Sequence, residues 1–270
     1  MLPYLKLFGI QIPMYGLCMA AAMLLAVFLS CVRAKRMGAD PDRLLTIALF
    51  AVVCGIVGAK LLFFFVTYTP MELIELIRVN GVLYLLEGGL VFYGGLIGGL
   101  IGAFIAARFV HVKLSVYSDP VVPTLPLAHA IGRLGCFCAG CCYGKVTDSW
   151  LGMQFPISST GLAEGVRVIP TQLIEAGFNF LVFLFLLAFT LKRRRGFTTL
   201  FVYLIIYGVE RFLLEFLRGD EIRGFLGLLS TSQWISLALI LLGVVCLILT
   251  GRSKRTPKSQ PRAGGMNGGL

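Results

Sequence analysis

Seven apolar stretches, each close to the length of a bilayer crossing, constrain this chain more than any other feature. They fall near 13–32, 44–68, 88–107, 120–138, 171–191, 198–217 and 232–250. A helix needs about 20 mainly apolar residues to cross the hydrocarbon core. The spacing therefore predicts an all-α, polytopic membrane protein of seven transmembrane helices. Composition agrees: 58% of the 270 residues are hydrophobic and 14% are charged, against about 25% charged in ordinary soluble domains. A disordered chain, a collagen, a coiled coil and a disulfide-stapled secreted fold are all excluded, and no room is left for a large soluble domain. The fourth stretch is the weakest, with Pro123, Pro126, His129 and Arg133. Proline is tolerated in a membrane helix where neighbours satisfy the freed carbonyls.

Seven crossings put the termini on opposite sides, and the bias of lysine and arginine sets the orientation. With the N-terminus outside, fifteen of these residues lie on the inside, six outside and three in or at the spans, which are Lys60, Arg133 and Arg211. The expectation is N-out and C-in. The net charge of +11 then reads as a topology signal and an attraction to anionic lipid heads, with no nucleic-acid partner. The first span is too long for the apolar core of a cleaved signal peptide, and its positive charges follow rather than precede it. The expected organisation is a seven-helix domain over 1–251 and a disordered, basic cytoplasmic tail over 252–270. Residues 69–87 suit a short amphipathic interfacial helix. Residues 139–170, rich in Gly, Ser and Thr with Trp150 and Phe155, suit a small extracytoplasmic cap in which short strands can form. No inverted repeat of the transporter kind is visible.

Charges within a bilayer are costly and point to function. Three clusters stand out. In the sixth span Tyr207, Arg211, Glu215 and Arg218 are spaced four, four and three, so they share one helical face. They are either helix glue or a buried anion site in which a guanidinium forks onto phosphate and Glu215 orients it. The fourth span ends at Gly132-Arg133-Leu-Gly135-Cys136-Phe-Cys138-Ala-Gly140-Cys141-Cys142-Tyr143-Gly144-Lys145. Its four cysteines have three readings: a soft-metal site without a standard zinc spacing, a disulfide permitted outside the cytoplasm, or small, buried, weakly polar packing. Packing is favoured, and no metal is expected. Cys18, Cys31, Cys54 and Cys246 read as packing too. In the third span Gly94, Gly98 and Gly102 form a small-xxx-small seam, and Tyr93 lies one turn inside the outer boundary. Tyr15 opens the first span, and Gln172 and Glu175 face together at the start of the fifth. All of these fall in the outer half of the membrane, which suits a lipid with an anionic head group.

The motif from Gly132 to Gly144 resembles the signature of the prolipoprotein diacylglyceryl transferase family. Tyr15-Gly16, the run from Gly88-Gly89 through Phe92-Tyr93-Gly94-Gly95 to Gly98, Pro170-Thr171-Gln172-Leu173 with Glu175, and Arg211-Phe212 with Glu215 resemble further family motifs, in order, over about 10–250. The chain departs from the family pattern at particular positions. Cys136, Ala139 and Cys141 stand where Asn, Asn and Glu are usual. Tyr93 replaces a His, and Ile169 stands where a His often precedes the Pro-Thr-Gln run.

The resemblance implies transfer of the diacylglyceryl group of phosphatidylglycerol to the lipobox cysteine of a prolipoprotein. A thioether forms and glycerol phosphate leaves. This is the first step of bacterial lipoprotein maturation, at the outer leaflet of the cytoplasmic membrane, with no metal or organic cofactor. It implies Tyr93, Arg133, Arg211 and Glu215 as catalytic residues. Tyr15, Gly98 and Gln172 join the two arginines as the phosphatidylglycerol site, and Gly132, Cys136, Cys141 and Gly144 are motif positions. The expected partners are phosphatidylglycerol, prolipoprotein signal peptides and membrane lipids. With the family His absent, the base is Tyr93, the substrate phosphate or His129, which shares a face with Arg133. A transporter or channel, and a membrane thiol oxidoreductase using Cys136 to Cys142, are the competing classes.

Overall fold

The computed structural model describes residues 3–7, 10–80, 89–156, 162–163, 165–192, 194, 196–218, 225–227 and 229–252. Gly88 and residues 253–270 of the tail expected to be disordered lie outside them, whereas Arg252, the first residue of that tail, ends the last helix. A hairpin of β1 (Tyr4–Leu7) and β2 (Ile10–Pro13) leads into α1 (Met14–Arg36). Then follow α2 (Pro41–Thr67), the short α3 (Pro70–Asn80), α4 (Phe92–Phe109), α5 (Ser118–Val121) and α6 (Thr124–Ala139). Two-residue strands β3 (Met153–Gln154) and β4 (Arg167–Val168) pair in the segment expected to form a cap. After them come α7 (Thr171–Phe189), α8 (Thr198–Leu214), the strand pair β5 (Phe225–Leu226) and β6 (Leu229–Ser230), and α9 (Thr231–Arg252).

Six of these elements are long and apolar enough to cross a membrane: α1, α2, α4, α5 with α6 as one broken crossing, α7 and α9. The remaining stretch of the sequence, the sixth, is α8. It has seventeen helical residues and continues for three more, Glu215–Leu217, as a 3-10 turn. Side chains such as Leu24, Phe28, Phe65, Leu181 and Leu241 point outward, as hydrocarbon permits and water does not. The helix ends follow local chemistry. Asp40 caps α2 by accepting from Asp42 N at 2.9 Å, and Pro41 takes a position whose missing N–H has no helical partner to lose. Arg33, Lys35 and Arg36 extend α1 past the apolar run, at the negative end of its dipole. Thr69 and Glu72 exchange reciprocal bonds at the start of α3. That exchange also holds the exposed Glu72 carboxyl below its ordinary range, chiefly through the Thr69 backbone N–H.

The helices pack in pairs: α2 on α4, α8 on α9, and α6 between α1 and α7. Small residues decide the contact of α2 with α4. A Cβ on Gly94 would meet the Gly58 carbonyl, one on Gly98 the Cys54 carbonyl, and one on Gly102 the Phe50 carbonyl. Backbone touches backbone there, as small-xxx-small packing requires in a lipid solvent. Gly98 is therefore a seam residue. Gly98→Ala is expected to lower stability in detergent by about 1–3 kcal/mol through overpacking. Gly177→Ala, where nothing lies within 4 Å of the added carbon, is expected to leave stability unchanged or raise it. Thermal unfolding of the two variants checks this. At the end where α1 terminates, Ala34, Ala39, Leu44, Ile47, Ala106, Ala107 and Tyr117 form an apolar cluster. The opposite end, where α1 and α7 begin and α6 and α8 finish, is polar inside.

Candidate active site

The polar end is built by helical spacing on three helices. On α7, Gln172, Glu175 and Asn179 lie three and four residues apart and are almost wholly buried, while Val182 and Leu186 continue the same face as apolar core. Opposite them on α6, His129 and Arg133 are one turn apart. Both reach Glu175: Arg133 Nη2 lies 2.7 Å and His129 Nε2 3.2 Å from its Oε1. On α8, Arg211 pairs with Glu215 at 3.5 Å, as the i, i+4 spacing predicted. The Tyr207 ring, one turn before Arg211, lies 5.9 Å from that of His129. Tyr207 is also in electrostatic contact with Arg211, Glu175 and Arg133. The two arginines thus converge from α6 and α8 on the region around Glu175. Arg133 Nε and Arg211 Nη1 are buried donors with no hydrogen-bond partner among the described residues. The oxygens of an anionic phosphodiester supply what such donors require.

The segment after α6 closes this end. Gly140, at φ 72°, ends the helix in the left-handed conformation that glycine accepts without strain. Thr171 Oγ1 donates to the Cys142 carbonyl at 2.9 Å and Gln172 Nε2 to the Cys141 carbonyl at 2.7 Å. Gly144 bridges to Arg218, and its N–H donates to the Ile169 carbonyl at 2.8 Å. A Cβ there would lie 2.5 Å from the Leu217 carbonyl and 2.7 Å from Thr171 Cγ2, so only glycine fits between the start of α7 and the end of α8. Gly132 and Gly135 bring α6 close to α1, where an added Cβ would lie 3.2 Å from Met19 Sδ and 2.9 Å from Cys18 Cβ. Cys136, Cys141 and Cys142 bring their sulfurs within 4.8 Å of one another. Hydrogen bonds from Cys136 and Cys141, with Arg218 and Arg133 nearby, pull the Cys142 thiol below its ordinary range. Every cysteine is free.

The structure brings Arg133, Arg211, Glu215 and Gln172 to one end of the bundle. Tyr15 is half-exposed there, in electrostatic contact with Cys136, Cys141, Cys142 and Arg133. The buried Gln172 commits its amide donor to the Cys141 carbonyl, so it positions the turn. Tyr93 is placed differently. It is half-exposed on α4 with its ring against Phe92, and it takes part in none of the cluster's ion pairs or ring contacts. The stripe expected through Arg218 ends sooner, because the α-helix stops at Leu214 and Arg218 is already extended backbone. The sequence reading placed Glu175 in the fifth-span motif and on a shared face with Gln172, but not as the hub of the cluster, and one further candidate escaped it. Glu210 is buried and accepts from Asn179 Nδ2 at 2.6 Å. The available signal was that Asn179 is the only polar residue in the apolar run 176–189.

A bundle of apolar helices with buried arginines, a carboxylate hub and an imidazole at one end defines a polytopic membrane protein with a buried charged cluster inside it. Comparison of the sequence with known proteins makes the class particular. A profile of the family "Prolipoprotein diacylglyceryl transferase" matches residues 3–249. A protein of Clostridium tetani named phosphatidylglycerol–prolipoprotein diacylglyceryl transferase is 38% identical over 239 residues, 88% of this chain and 93% of the relative. One of Clostridium perfringens, named as the second such transferase, is 37% identical, covering 89% and 91%. One of Clostridioides difficile is 31% identical, covering 94% and 97%. The chain belongs to the prolipoprotein diacylglyceryl transferase family.

Proposed function

We propose that this chain transfers the diacylglyceryl group of phosphatidylglycerol to the lipobox cysteine thiol of prolipoproteins. In this reading α8 is a seventh crossing, the N-terminus is outside and the C-terminus inside, and the polar end opens towards the outer leaflet of a bacterial cytoplasmic membrane. Both substrates then arrive laterally from the bilayer. One observation carries the reading: Arg133 and Arg211, on separate helices, keep buried donors at a common place with no hydrogen-bond partner among the described residues.

Arg133 and Arg211 bind the phosphate that links the two glycerols. As the thiolate attacks the glyceryl carbon, a C–S bond forms and the C–O bond to phosphate breaks. The electron pair leaves on the phosphate oxygen, and fixed guanidinium donors stabilise the charge that develops there. Glu215 holds Arg211 and Glu175 holds Arg133, so neither fork has to reorganise during the step. A thiol with a pKa near 8.5 must first lose its proton. His129 is the acceptor in this scheme. Imidazole is suited to proton transfer near neutral pH. Its Nε2 is aligned by Glu175, its ring lies tilted beside that of Tyr207, and 26% of its side chain is exposed.

The test is purified protein in phosphatidylglycerol vesicles with a lipobox peptide, read by mass spectrometry. The expected result is a gain of one diacylglyceryl group on the cysteine peptide and none on a serine counterpart. No mass gain on the cysteine peptide overturns the assignment.

A further inference from the structure

We infer that Cys136, Cys141 and Cys142 form a binding site for a thiophilic divalent cation, Zn2+, at the end of α6. Among the described residues this is the one group of three His, Cys, Asp or Glu side chains whose ligand atoms lie within 4.8 Å of one another. Zinc bonds to thiolate sulfur are about 2.3 Å long, so sulfurs sharing one zinc lie about 3.8 Å apart. Closing the trio onto an ion needs an inward movement of at most about 1 Å per pair, within reach of a side-chain rotation.

The backbone around the trio is already arranged for this. Cys142 adopts φ 64°, in the left-handed region that non-glycine residues rarely enter, and only His111 shares this among the described non-glycine residues. Such a conformation persists only where its surroundings hold it. Here the Cys142 carbonyl accepts from Thr171 Oγ1, the Cys141 carbonyl accepts from Gln172 Nε2, and Cys141 N donates to the Cys136 carbonyl at 3.1 Å. The turn is thus fixed at three points, and its sulfurs converge without a covalent link. A disulfide would engage two of the three thiols and leave the convergence of the third unexplained.

Charge favours the same occupant. Three thiolates and one Zn2+ leave a single negative charge, with Arg218 and Arg133 in electrostatic contact with the trio. On binding, three S–H protons pass to solvent and three Zn–S bonds form, with no change of oxidation state. Three protein ligands leave the fourth tetrahedral position to a small ligand such as water, on the side where Cys141 is exposed. Cys138, two residues from Cys136, is outside the trio; the cysteine it contacts electrostatically is Cys18. It is the internal control. The site departs from the packing role that the sequence favoured, because packing does not require three sulfurs to converge.

The full-length protein, purified in detergent, loaded with Zn2+ and desalted, is analysed for metal. About one zinc per chain is expected, falling at least tenfold in Cys136→Ser and Cys142→Ser and unchanged in Cys138→Ser. A second measurement needs no variant. Zinc is expected to protect Cys136, Cys141 and Cys142 from alkylation, read peptide by peptide by mass spectrometry, and a chelator to expose them while Cys138 reacts equally in both states. Substoichiometric zinc in the loaded parent overturns the inference. So does retention of zinc by both trio variants, or a purified parent 2 Da light through a disulfide within the trio. None of these readouts depends on transferase activity.

Discussion

Arg133→Ala and Arg211→Ala are each expected to lower transfer by roughly 10²–10³-fold, a loss of about 2.7–4 kcal/mol of transition-state stabilisation. The size follows from where the donors sit. Each guanidinium is largely buried, with side-chain exposures of 15% and 14%, and in such a site charge stabilisation is worth more than in water. Each keeps one donor without a hydrogen-bond partner among the described residues, and each has a carboxylate that fixes the rest of the fork. Lysine at either position should rescue poorly. An ammonium carries the charge but cannot hold the carboxylate and a phosphate oxygen along two fixed directions. The loss is expected mainly in turnover, because the charge on the departing oxygen develops during the reaction rather than on binding. The folded fraction of each variant, followed by thermal unfolding, separates this from collapse. Near-parental transfer by both alanine variants would remove the phosphate role.

How far the sequence carried the description depends on whether partners share a helix. Arg211 and Glu215 were legible because i, i+4 neighbours on one helix must meet. The glycine seam of α4 was legible because small residues every four positions leave little other explanation in lipid. The ion pair between Arg133 and Glu175 was not, since it depends on how α6 and α7 pair and on their register, which hydrophobic period does not encode. For the same reason Tyr93 could be placed near the start of its helix but not against a neighbour. Its helix pairs with α2, and the cluster gathers on the far set of helices. The hairpin Tyr4–Leu7 with Ile10–Pro13 went unread, because its short apolar strands run directly into the first span and carry no separate signal.

His129→Ala is expected to lower transfer by roughly 10²–10⁴-fold, the usual range for a general base, while Tyr93→Phe stays within about twofold of the parent, since a lost exposed hydroxyl removes no interaction of the cluster. The contrast rests on placement: His129 is held by Glu175 and adjoins Tyr207, whereas Tyr93 faces outward beside Phe92. A merely structural His129 would also reduce activity when removed, so the decisive readout is chemical rescue. The alanine variant leaves a partly open space of imidazole size beside Glu175. Free imidazole in the buffer is expected to restore part of its rate, and to do nothing for Arg133→Ala. Glu175→Gln separates the hub from the base. It keeps the shape of the side chain and removes the charge that aligns both His129 and Arg133. Its transfer should fall, without imidazole rescue. Glu175→Ala should in addition lose about 3–5 kcal/mol of stability, because a buried guanidinium is left without its carboxylate. If Tyr93→Phe is inactive and His129→Ala retains the parental rate, the proton acceptor lies on α4, and α4 must swing towards α6 during turnover.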